Sequence, residues 1–166
     1  MFTDDLLRVG GSHTAAAAAY ANGAPSGFPA GQVVTANGDN LSTDTIDLGG
    51  TNITREIGEG KALYMVWSVT DAFVRAAGAI GTIFQILIDD DPALGTPVVI
   101  AATGSIAKAD LHLGAQVVLQ IPPVVASLGL RYLGANVNNA NAPDAASVCC
   151  DIVETLQDGM KFYPAV

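Results

Sequence analysis

The densest group of potential ligands in this chain is Asp89-Asp90-Asp91. Carboxylate oxygens bind hard cations such as Ca²⁺, but a calcium loop draws them from spaced positions around a glycine and closes on a Glu. Here the acids are consecutive, so in an extended segment they point in alternating directions. Pro92 follows and ends any strand, because it has no N–H to donate. The spacing predicts a solvated turn whose charges discourage edge-to-edge pairing, and no metal site.

Other candidates for chemistry are sparse. His13 and His112 are the only histidines, and neither has an acid or a nucleophile at a telling spacing. A Ser-His-Asp triad would have to be assembled by the fold alone, with no nucleophile elbow in the sequence. Cys149 and Cys150 are adjacent, which gives no disulfide framework. In a strand their side chains take opposite faces. Two reduced thiols are expected, with Cys150 buried beside Val148 and Ile152. Gly58-Glu59-Gly60-Lys61 lacks the spacing and the Ser or Thr of a phosphate loop, and Glu59 would repel a phosphate. It reads as a hairpin turn. Arg131 is expected to lay its stem across a sheet and pair with a carboxylate. No catalytic residue and no cofactor are expected.

Composition narrows the partners. The 166 residues suffice for one domain with a real core. Half are hydrophobic and only 14% are charged, so part of the surface is expected to be covered by other copies or by a partner. The net charge of −9, with seven scattered Lys and Arg, argues against nucleic acid and against an anionic membrane surface. No apolar run approaches the roughly 20 residues of a membrane helix. Asp4 and Asp5 stand where a signal peptide would be basic, so synthesis in a reducing cytoplasm is expected.

The elements that would carry these residues are strands. Phe84, Ile86 and Ile88 recur every second residue, and so do Leu63, Met65, Trp67 and Val69. Further strand-like runs are Gln32–Thr35, Ser42–Leu48, Ile53–Ile57, Pro97–Thr103, Gln116–Ile121, Leu130–Val137 and Ser147–Thr155. Asp71–Ala79 and Ala107–Leu113 are read as linkers with room for a helical turn, Asp71 being a candidate cap. The series predicts an all-β fold, an antiparallel sandwich or barrel, in one domain over residues 31–166. Residues 1–30, rich in Gly and Ala with Pro25 and Pro29, are expected to form an extended N-terminal arm.

The ordered series of segments resembles a known family. Ser42–Gly49, Glu56–Gly60 leading into Leu63–Val69, and Phe84–Asp91 are similar to successive strands of the capsid cement, or decoration, proteins of tailed bacteriophages. The likeness is to the short-tailed-phage jelly-roll type, which implies an antiparallel jelly-roll-like β-sandwich for residues 31–166. Val98–Ile100, Thr103–Ile106, Val118–Pro122 and Leu130–Gly134 continue in the same order, while Thr14–Ala30 and Ala135–Asp144 depart from the pattern. The resemblance implies a structural virion protein on the outer capsid surface, made in the bacterial host cytoplasm. Its partners would be the major capsid protein and further copies of itself, as dimer or trimer. Phe2, Leu6, Leu7, Tyr20 and Phe28 are the expected contact residues, being apolar anchors on the arm.

Two rival readings follow from the same residues. A carbohydrate-binding jelly roll would need exposed aromatic rings, yet Trp67 falls on the apolar face of its strand. An enzyme on a sandwich scaffold would need a constellation that the sequence does not display.

Overall fold

The computed structural model describes residues 8–10, 31–49, 62–76, 78–79, 81–123 and 128–154. Among these, eleven strands form two antiparallel sheets. They are β1 (Arg8–Gly10), β2 (Gln32–Val33), β3 (Gly38–Leu41), β4 (Ile46–Asp47), β5 (Tyr64–Val74), β6 (Gly81–Asp89), β7 (Val98–Ala102), β8 (Ile106–Ala107), β9 (Gln116–Gln120), β10 (Tyr132–Asn139) and β11 (Ala145–Val153). One sheet runs β1-β11-β5-β9, with β2 also on β11; the other runs β3-β10-β6-β7, with β4 on β10 and β8 on β6. The chain therefore crosses repeatedly between the sheets, in the double Greek-key order of a jelly roll. The all-β sandwich is the fold that the period-two patterning predicts.

Alternation decides which side chains meet between the sheets. Met65, Trp67 and Val69 of β5 face Phe84, Ile86 and Ile88 of β6, and all six are fully buried. Leu133, Ala135 and Val137 of β10 complete the layer with Val148, Cys150 and Ile152 of β11. The ring of Trp67 meets that of Phe84 edge-on, centroids 5.6 Å apart, and Phe73 adds a second edge contact at 6.4 Å. Such geometry adds about 0.5–1.5 kcal/mol per pair beyond the area buried. Thr82 donates to Asn139 Oδ1 at 2.9 Å and the Asn139 amide donates to the Val34 carbonyl, whereas the buried indole N–H of Trp67 has no hydrogen-bond partner among the described residues.

Several expectations change at the level of single elements. Asp71 does not cap a helical turn, because β5 continues through it to Val74. The register against β11 shifts twice, between Val148 and Ser147 and again between Ser147 and Ala145; the first shift leaves Asp71 exposed and the second returns Phe73 to the core. Of the expected strand Ser42–Leu48 only Ile46–Asp47 is strand, as β4; β3 ends before it at Leu41, both pair with β10, and between them Ser42 exchanges hydrogen bonds with the Ala135 backbone through its N–H and its Oγ. The linker Ala107–Leu113 does contain one 3-10 turn, Lys108–Asp110. Within the segment expected as an arm, Arg8–Gly10 is a strand on the edge of β11, opposite Asp151 and Cys150. The expected strand Ile53–Ile57 and the turn at Gly58–Lys61 lie outside the described residues, as does His13.

The two cysteines are unbridged and on opposite faces of β11, but both are buried. Cys150 packs with Val148 and Ile152 as expected. Cys149 is only 2% exposed, which corrects the expectation that one thiol would be buried. The outward face of β11 is covered at Cys149 and again at Asp151.

Candidate interaction surface

The acidic turn is built rather than merely solvated. Asp90 and Asp91 are exposed, but Asp89 is only 2% exposed. Its carboxylate accepts the backbone N–H groups of Asp90 at 2.7 Å, Asp91 at 3.3 Å and Thr96 at 2.9 Å, so it ties both ends of the loop to the end of β6. Burial works against ionisation of Asp89. The donors of Thr96, Asp91 and Asp90 outweigh it together and hold the group below the usual carboxylate range. With its oxygens committed to N–H groups, Asp89 is a loop clamp.

That clamp positions a plug. Leu94 has φ +53°, the left-handed region that side chains avoid, and its N–H is bonded to the Asp91 carbonyl. The turn drives Leu94 onto the outer face of the second sheet, where Gly134 leaves the space: a Cβ on Gly134 would stand 2.6 Å from Leu94 Cδ1. Nearby, Arg131 grips Asp47 with two parallel hydrogen bonds of 2.7 and 2.6 Å and lies 5.0 Å over the ring of Tyr132. The bonds to Asp47 raise the guanidinium pKa further. The expected pairing of Arg131 with a carboxylate is therefore present.

Among the described residues, the least protected surface lies at β7 and β9. Each is the last strand of its sheet, and the two touch across the sandwich, so one flank carries two strand edges. Among the described residues neither has a second neighbour. The sequences Val98-Val99-Ile100-Ala101-Ala102 and Gln116-Val117-Val118-Leu119-Gln120 contain no charge. Val99 is 47% exposed and Val118 37%, with Val98 and, in the turn before β9, Leu113 also exposed. Val98 and Val99 pair in regular register with Ile88 and Leu87 and so point to opposite faces of the edge strand, both reaching solvent, and the register against β6 shifts only beyond them, at Ile100. Open edges are normally defended by charge or by shortness, and neither device is used here.

The sequence points to this flank weakly. The adjacent pairs Val98-Val99 and Val117-Val118 put a valine where an exposed edge strand would place a polar residue. The residues expected to make contacts, Phe2, Leu6, Leu7, Tyr20 and Phe28, all lie outside the described residues. Trp67 is fully buried, so it offers no platform for a sugar ring. His112 is exposed in the turn before β9.

A family model described as Bbp16 matches residues 28–149, from just before β2 to the middle of β11. The chain belongs to the Bbp16 family. The matched span holds both edge strands of the uncharged flank and the Asp89 loop. No match is found among curated proteins.

Proposed function

We propose that this Bbp16-family protein is a structural component of a phage virion that binds the outside of the assembled capsid and holds neighbouring capsomers together. It acts without catalysis, as an oligomer, and its main partner is the major capsid protein. The observation that carries the reading is the β7–β9 flank. An acidic chain of net charge −9 repels its own copies, and contact is least opposed where charge is absent. Val98, Val99 and Val118 supply apolar area there, and the strand edges supply backbone groups that a neighbour can pair. The ordered resemblance to phage cement proteins supports the same role.

Cosedimentation with mature shells stripped of their own decoration tests the reading. The full-length chain should bind and raise the temperature at which the shells open, since a ligand of the assembled state stabilises it by mass action. Lysines introduced together at Val99 and Val118 should abolish binding while the soluble protein keeps its fold. A chain that leaves shells untouched, or a double variant that binds as well as the parent, would sink the proposal.

A further inference from the structure

On the outer face of the second sheet a buried amide organises polar groups, of which Asp39 is exposed and Gln85 and Asn138 are half-buried. Asn136, only 2% exposed, donates through Nδ2 to Asp39 Oδ1 at 2.6 Å and to Gln85 Oε1 at 2.8 Å, and its Oδ1 accepts the Asn40 N–H at 2.9 Å. All its hydrogen-bonding capacity on the donor side is thereby used. Asn138, two residues along β10 and on the same face, donates to the same Asp39 oxygen at 2.6 Å. The register sets Asp39 of β3 opposite Asn138, and Gln85 of β6 opposite Asn136. Three adjacent strands, about 4.8 Å apart, thus contribute to one row.

These bonds also fix which atoms face away. Because Gln85 Oε1 is turned to Asn136, its Nε2 is free to donate outward. Because Asp39 Oδ1 holds two amides, Oδ2 is left as an acceptor, and Asn138 Oδ1 is a second one. The shelf beside Gln85 is low, because exposed Ala102 lies opposite it on β7. Ile83, opposite Asn138 on the same face, adds a half-buried apolar patch.

We propose that this row is a binding site for a neutral sugar with vicinal hydroxyls. A pair of neighbouring hydroxyls donates to one acceptor and accepts from one donor, which is what Asp39 Oδ2 and Gln85 Nε2 offer when oriented by a single amide. Ile83 and Ala102 would carry the apolar C–H side of the ring. The carboxylate and the acidic chain exclude anionic sugars. The site lies on a sheet face, and the shell-contact flank proposed above lies at the β7–β9 edge, so each can fail without the other.

The test uses the full-length protein, saturation-transfer NMR and calorimetric titration. The probes are glucose, galactose and mannose, with N-acetylneuraminic acid as the acidic control. Two isosteric variants change only the outward atom. Asp39→Asn can keep Oδ1 on both amides while turning the free acceptor into a donor, and Gln85→Glu keeps Oε1 on Asn136 while replacing the free donor. Each should weaken binding of the preferred neutral sugar about tenfold, the size expected for a hydrogen bond to a charged group, with melting temperature nearly unchanged. Millimolar binding of a neutral sugar, lost in both variants and absent for the acidic control, would support the site. No binding of any neutral sugar, equal binding in both variants, or equal binding of the acidic sugar would overturn it. If one variant fails to fold, the other decides.

Discussion

The two flanks of the sandwich solve the edge problem differently. On one side the sheets end in short pieces: β1 and β2 share the edge of β11, and β3 and β4 share that of β10. None is longer than four residues, and they are punctuated by Asp39, Asp44, Asp47 and the ion pair to Arg131. On the other side β7 and β9 are five residues each and carry no charge. Shortness and charge are the ordinary defences against unwanted pairing. Among the described residues they are used on one flank and omitted on the other, and that contrast supports the proposal that the β7–β9 flank is the one that meets a partner.

The sharpest way to break this contrast is to remove what both flanks share. Trp67 sits between the sheets against Phe84, so Trp67→Ala should cost about 3–5 kcal/mol and abolish binding through either flank. Urea titration followed by fluorescence of the tyrosines would measure it. A loss below about 1 kcal/mol would mean that the sheets are held elsewhere.

The next effect separates the flanks. The lysine pair at Val99 and Val118 should dissociate self-assembled protein in analytical ultracentrifugation while leaving stability within about 0.5 kcal/mol, because both side chains are already partly exposed. Association that persists unchanged would place the interface on another surface.

Asp89 offers a pH test of the loop at the end of β6. Its pKa is lowered on folding, so its stabilisation is present above the ordinary Asp value of about 3.9 and is lost as pH falls below it. Asp89→Asn should therefore lower the melting temperature at pH 7 and have a smaller effect at pH 3. An equal effect at both values would show that the carboxylate's charge is not what ties the loop.

The smallest expected effect is a control. Val33 is 64% exposed on the defended flank, and Val33→Lys should change neither association nor stability measurably. If it dissociates the protein as strongly as the Val99 and Val118 pair, the contrast between the flanks fails.

The centre of the fold was legible because β5, β6 and β11 alternate cleanly, and alternation needs no knowledge of neighbours. Phase was lost where a bulge resets it. Asp71 falls on the apolar phase of β5 and reads as a strand end, and only the register against Ser147 shows that the strand bends past it. The acidic turn reads correctly at Asp90 and Asp91, which are exposed, but not at Asp89: three identical side chains have three positions, and only the loop's return at Thr96 turns Asp89 inward. The polar row was not legible at all. Asp39, Gln85 and Asn136 are far apart in the chain, and no local pattern links them before β3, β6 and β10 pair.

Leu94 and Gly134 carry a consequence for how this family can diverge. One is a side chain held in a left-handed turn, the other the missing side chain beneath it. A methyl group at position 134 would force the leucine tip to shift, while a smaller residue at position 94 would leave the space above Gly134 open. Neither site can drift alone without loss. Across relatives the two positions should therefore be inherited as a pair, large over absent or small over small, and a lineage that exchanged one would have passed through the other.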